Sequence, residues 1–199
     1  MIFKALIVDF GGVLTNPLER VVRDFCVREG VEQEGMRVIF GGHDDGSFEA
    51  LERGDISQEQ WNRDAAAQLG VSSENLLSRV LASLEKAEPM IRAVQNARAA
   101  GLLTAVVTNS YGTHPHDPYE PWKLEELVDV VVISGVERVR KPDAEIYRRT
   151  LERLGVDGHE CVYIDDNARN LIPAQKLGMH TILHTDADQS AREIADLLV

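Results

Sequence analysis

Five short apolar runs constrain this chain more than any other feature. They lie at 2–8 (IFKALIV), 102–108 (LLTAVVT), 128–134 (VDVVVIS), 161–165 (CVYID) and 180–184 (HTILH). Each is rich in β-branched residues and nearly continuous rather than alternating, the pattern of parallel strands covered on both faces. Parallel strands need crossovers, and the intervals between the later runs have helical periodicity. Residues 90–101 place Ile91, Val94, Ala97 and Ala100 on one face. In 143–155, Ile146, Tyr147, Thr150, Leu151 and Leu154 align, and Gly155 stands where a C-cap glycine belongs. A further helical pattern ends at Gly178, and another occupies the last ten residues. Strand–helix alternation of this kind predicts a doubly wound α/β fold with a five-stranded parallel sheet.

The interval between the first two runs breaks the rhythm. Residues 15–88 are too long for a crossover and are helical in character. Residues 57–70 open with a capping-box pattern, Ser57 with Gln60, and close on Gly70. Residues 71–85 read as a second amphipathic segment. The expected organisation is a core domain of 1–14 and 89–199 with a helical domain of 15–88 inserted after the first strand.

Charge narrows the partners. The 199 residues carry a net charge of −12 and a pI of about 4.9, so the surface repels nucleic acid and anionic lipid. An anionic ligand needs a local basic site. The two cysteines, Cys26 and Cys161, form no metal-type spacing or disulfide framework, which fits a reducing, cytoplasmic compartment. The N-terminal stretch, broken by Asp9, is a poor signal peptide, and no apolar run reaches the roughly 18 residues of a membrane span. Nothing in the sequence separates a monomer from a homodimer.

In an open parallel sheet, ligands bind beyond the carboxyl ends of the strands. Asp9 follows the first run, Thr108 and Asn109 the second, Lys141 the third, and Asp165 and Asp166 the fourth. Each has an ordinary explanation alone: Thr108 ends a strand, Lys141 sits in a loop, and Asp166 or Asn167 caps a helix. Together they bring three carboxylates, a hydroxyl and an ammonium to one sheet edge. Three adjacent carboxylates need a counter-charge, which a hard divalent cation supplies. Asp9, Asp165 and Asp166 are the candidate Mg²⁺ ligands, with the carbonyl of Gly11, which no side chain obstructs. Lys141 orients the nucleophile or a phosphoryl oxygen. Thr108, Asn109 and the N–H groups near Gly11 and Gly12 are candidate donors to the remaining oxygens. This chemistry is metal-assisted phosphoryl transfer with Asp9 as nucleophile.

These residues resemble the haloacid dehalogenase-like (HAD) superfamily. Its four motifs match Asp9 in VDFGGVL, Thr108 in VVTNS, Lys141 in VRKPDAEIY and the pair Asp165–Asp166 in YIDDN. RKPDAEIYRRTLERLG and DDNARNLIPAQKLGMHTIL look most like the subfamily containing the N-terminal phosphatase domain of soluble epoxide hydrolase. The resemblance implies a Rossmann-like core, a helical cap at 15–88 and an Mg²⁺-dependent phosphatase acting on a small phosphorylated molecule. It also makes Asp166 the direct metal ligand and Asp165 its support. A phospho-receiver domain, which also uses aspartates, Thr and Lys, is set aside because its acidic pair follows strand 1 and it has no place for the insert.

One position departs from the family pattern. Its phosphatases usually carry a second Asp two residues after the nucleophile, protonating the leaving oxygen; here that position is Gly11. Substitutes are His43, Asp44, Asp45 and Glu49 in the insert, or His114 and His116 after the second strand. Gly11 also admits two alternatives: a 2-haloacid dehalogenase, whose halide leaves unprotonated, and a non-catalytic ligand-binding relative. The substrate itself is not legible.

Overall fold

The computed structural model describes residues 3–40 and 47–197, and the backbone alone at 32–34. Five strands, β1 (Ala5–Val8), β2 (Leu103–Thr108), β3 (Val130–Ile133), β4 (Cys161–Asp165) and β5 (His180–Leu183), form one sheet. All pairings are parallel, in the order β3-β2-β1-β4-β5. All five predicted runs are strands. The sheet winds outward in both directions from β1, so the crevice at the carboxyl ends of β1 and β4 is the topological switch point.

The helices in chain order are α1 (Leu18–Glu29), α2 (Glu32–Ile39), α3 (Ser47–Glu52), α4 (Gln58–Leu69), α5 (Leu76–Val80), α6 (Glu88–Ala99), α7 (Leu124–Leu127), α8 (Ser134–Glu137), α9 (Ala144–Leu154), α10 (Ala168–Lys176) and α11 (Ala187–Leu197). Alternate strand residues face opposite layers. Leu6, Val8, Val106 and Ile164 pack with Met90 and Val94 of α6 and Ile194 of α11. Ala5, Ile7, Val107 and Tyr163 pack with Ile146 and Tyr147 of α9 and Leu171 of α10. Burial on both faces is why the strands lack polar alternation. Helix α9 starts at Asp143, whose carboxylate accepts from Glu145 N–H (2.9 Å), and stops at left-handed Gly155.

Between β1 and α6, helices α1 to α5 build a separate apolar cluster around Phe25, Trp61, Leu76 and Leu77. Its entry and exit run side by side: Thr15 bridges Lys86, and Asn16 N–H donates to Glu85 O (3.0 Å). Ser57 caps α4 by accepting from Gln60 N–H (3.2 Å), but the Gln60 side chain turns to Asp64 (2.7 Å), so the expected capping box is half formed. The segment 71–85 is not one helix. Arg79 donates to Ser72 O (3.0 Å) and Glu74 O (2.6 Å), holding 72–74 as a turn, and only Leu76–Val80 plus a 3₁₀ turn at Leu81–Ser83 are helical.

Candidate active site

The site lies at the switch point. Asp9 directly follows β1, and its N–H donates to Ile164 O on β4 (2.9 Å), which sets it beside Asp165. Lys141, 1% exposed, reaches in from the loop before α9. Its Nζ lies 2.8 Å from Asp9 Oδ1 and 2.7 Å from Asp165 Oδ2. Burial alone would depress the Lys141 pKa; the two carboxylates reverse this and hold it protonated, above its ordinary value. Burial pushes Asp9 well above the usual carboxylate range, Lys141 opposes, and Asp165 and Asp166 push further. Asp9 Oδ1 also accepts from Phe10 N–H (2.6 Å). Both contacts fall on this oxygen, and Oδ2 takes neither.

Asp165 is buried and saturated. Lys141 Nζ, the Tyr163 hydroxyl, Asn167 N–H (2.9 Å) and the Asn170 amide (2.9 and 3.1 Å) all donate to its two oxygens. Asp166 is different. The next helix is capped by Asn167, which accepts from Arg169 N–H (3.1 Å), so Asp166 is not the cap. Its carboxyl joins the Asp9 cluster; the residue is exposed at its outer edge, but desolvation of the carboxyl in the cleft and then Asp165 push it up to about 6. One oxygen from each of Asp9, Asp165 and Asp166 falls within 4.8 Å of the others.

The two glycines serve different purposes. Gly12 has φ +78°, and a Cβ there would stand 2.2 Å from Asp166 Oδ2. Its N–H donates to Thr15 Oγ1 (2.9 Å). The space that Gly12 opens is thus filled by Asp166, not left for a phosphate. Gly11 has no positive φ; a Cβ there would lie 2.7 Å from Leu18 Cδ1.

Asn109 is also tied up: its amide donates to Lys141 O (3.0 Å) and accepts from Lys141 N–H (2.7 Å). Thr108 is buried at the end of β2, with its hydroxyl 3.1 Å from Asn109 O. Asp9, Gly11, Thr108, Asn109, Lys141 and Asp166 line one cavity of about 200 Å³. Leu18, Phe40, Phe48, Glu52, Tyr111 and Arg140 complete most of its wall, and four of these come from the segment between β1 and α6. Leu18, Phe40, Asp166 and Asn167 also border a wider outer groove of about 650 Å³.

Comparison of the chain with known proteins decides the family. The haloacid dehalogenase-like hydrolases match residues 3–178. The chain belongs to this family. Among this HAD hydrolase's relatives, mouse acyl-CoA dehydrogenase family member 10 is 29% identical over 98% of the chain, which spans only 19% of that protein. Sesquiterpene phosphatase astK of Aspergillus oryzae is 26% identical over 98% of the chain and 97% of its own length. Pig bifunctional epoxide hydrolase 2, the relation expected from the sequence, is 26% identical over 98% of the chain and 38% of its own length. The fold matches a HAD family enzyme of Bacteroides thetaiotaomicron, solved as a magnesium complex, with a TM-score of 0.71 at 22% identity, covering 93% and 94% of the two chains.

The proposed stand-ins for the missing acid divide into two groups. His43, Asp44 and Asp45 lie outside the described residues. Glu49 is solvent-facing and pairs with Arg140 (3.1 Å), and neither it, His114 nor His116 lines the cavity. Sequence reasoning passed over buried Glu52 and half-buried Arg140, whose carboxylate and guanidinium lie 2.6 Å apart at an angle too poor for a hydrogen bond. It also missed Tyr163 and Asn170; the second stands on the first turn of α10, within reach of Asp165, and was the more readable signal. No helix among the described residues is long and apolar enough to cross a membrane.

Proposed function

We propose that this HAD hydrolase is an Mg²⁺-dependent, cytoplasmic phosphatase of a small phosphorylated metabolite, with Asp9 as its nucleophile. The observation that carries this reading is Lys141, held between Asp9 and Asp165 while Asp166 approaches the same point. The donor set fits Mg²⁺: hard carboxylate oxygens from Asp9 and Asp166, with the carbonyl of Gly11, which lines the same cavity, as the candidate backbone ligand. Asp165, its oxygens taken by four donor groups, supports the cluster rather than supplying a bond to the ion. When bound, the ion supplies positive charge that offsets the carboxylates and draws a phosphoryl group toward them. Asp9 Oδ2 attacks phosphorus, Lys141 orients Asp9, and the Gly11 N–H and the Thr108 hydroxyl, once turned from Asn109 O, donate to phosphoryl oxygens. Asn109 acts by fixing the Lys141 backbone, and Gly12 by making room for Asp166.

The segment 15–88 is read as a cap, supported by its own apolar cluster, its paired entry and exit, and its share of the cavity wall. A phosphatase relative of nearly the same length supports the reaction class. The test is phosphate release from 4-nitrophenyl phosphate with Mg²⁺ or chelator, alongside Asp9→Asn. Release that needs both Mg²⁺ and Asp9 is expected. Halide release from a 2-haloacid, indifferent to chelator, would move the assignment to a dehalogenase.

A further inference from the structure

The leaving-group side of the cavity carries its own information. Where a general acid stands in related phosphatases, this chain has Gly11, and the space beyond is filled by Leu18 Cδ1, 2.7 Å from the position a Cβ would take. The backbone at Gly11 is ordinary, so packing rather than conformation keeps a side chain out. Several other polar groups on the wall are committed elsewhere. Glu52 faces Arg140 at 2.6 Å, Asn109 holds the Lys141 backbone, Asn170 holds Asp165, and the Thr108 hydroxyl lies on Asn109 O. Among the described residues on this wall, the carboxyls are Asp9 and Asp166, read above as metal ligands, and Glu52, ion-paired with Arg140, and no imidazolium lines it.

The rest of that side is apolar and aromatic. Phe40 and Phe48 meet edge-on (centroids 6.1 Å, 73°), and Phe48 leans on Tyr111 (5.3 Å, 58°), with Leu18 in the same wall. Such rings accept another flat ring in stacked or edge contact. At about 200 Å³, the inner cavity falls below the range of roughly 300–1,000 Å³ typical of drug-sized ligands. One ring beside a phosphoryl group suits it.

We propose that the site is specialised for aryl phosphate monoesters, in which a phosphoryl group is joined to the oxygen of a single aromatic ring seated against Leu18, Phe40, Phe48 and Tyr111. This rests on the phosphatase reading above and names its substrate class. As Asp9 Oδ2 bonds to phosphorus, the P–O(aryl) bond breaks and its electron pair stays on the aryl oxygen. The phenolate leaves without a proton from the enzyme. Water then attacks the aspartyl-phosphate at phosphorus, the P–O(Asp9) bond breaks to restore the carboxylate, and both water protons depart with dihydrogen phosphate. A leaving group that needs no proton makes an acid at position 11 dispensable, since such an acid contributes about 10²–10⁴-fold only where the departing oxygen is strongly basic.

The experiment measures kcat/KM, which reports transfer to Asp9, for the Mg²⁺-loaded chain. The substrates are substituted phenyl phosphates, whose phenols run from tyrosine-like acidity (pKa about 10) downward, and benzyl phosphate, which has the same ring but leaves as an alkoxide. The expected result is a steep rise in kcat/KM as the phenol becomes more acidic, with benzyl phosphate at least about 100-fold slower than phenyl phosphate. Phe48→Leu should reduce kcat/KM for phenyl phosphate by about ten-fold more than for acetyl phosphate, which has no ring. Gly11→Asp with Leu18→Ala should raise benzyl phosphate turnover relative to Leu18→Ala alone. Equal rates on benzyl and phenyl phosphate would reveal an enzyme acid and overturn this inference, while leaving the phosphatase reading intact. No phosphate from any of these compounds would overturn both.

Discussion

Replacing Gly12 by alanine tests two features of the site at once, and the two separate experimentally. The first is conformational. At φ +78° an L-residue other than glycine is strained by about 1–2 kcal/mol. For a chain of this size that is a fall in Tm of about 2–8 °C, at about 2–4 °C per kcal/mol. The second is steric. The new Cβ would stand 2.2 Å from Asp166 Oδ2, so Asp166 must leave the cluster it shares with Asp9 and Asp165. Mg²⁺ activation of the variant should weaken by at least about ten-fold, the lower range seen when groups that merely support a metal ligand are lost. A double-mutant cycle with Asp166→Ala isolates the steric part. In that background Gly12→Ala should cost only the conformational share, giving a coupling of about 0.5–3 kcal/mol. Thermal unfolding and Mg²⁺ titration of the four proteins supply the readout. An unchanged Tm for Gly12→Ala, or a strictly additive cycle, would refute the argument.

Two other perturbations follow from the same geometry. Burial pushes Glu52 from 4.5 up to about 6, against Arg140. A carboxyl raised on folding stabilises fully below its unfolded pKa, and that contribution is lost as pH rises through the folded value. Wild type should therefore lose about 2 kcal/mol between pH 4 and pH 7 relative to Glu52→Gln, at 1.36 kcal/mol per unit, measured by urea unfolding at both pH values; a pH-independent difference would contradict it. Asn109→Ala leaves the Lys141 backbone without its amide partner, at a cost of about 1–3 kcal/mol, and should lower kcat more than it raises KM; a change in KM alone would place Asn109 on the substrate instead.

Much of this was legible in the chain. The five strands could be read because a parallel sheet, buried on both faces, needs unbroken β-branched runs, and Asp9, Lys141, Asp165 and Asp166 could be read because strand ends converge on one edge. What was not legible depends on contacts between distant segments. Glu52 meets Arg140, and Leu18 fills the space beside Gly11, only through packing of the helical segment on the core. The Asn109 amide has several chemically equal partners in sequence, and only the fold sends it to the Lys141 backbone. The turn at 72–74 carries no apolar residue of its own, and the Arg79 contacts that hold it come from a residue further along.

The central claim is that Asp9 carries the phosphoryl group. Full-length protein mixed with Mg²⁺ and an aryl phosphate, quenched in acid during turnover and digested, should yield the peptide containing Asp9 with the mass of one added phosphoryl group, removable by hydroxylamine and absent from Asp9→Asn. Phosphate release at full rate with no label on that peptide, or with the label elsewhere, would contradict it.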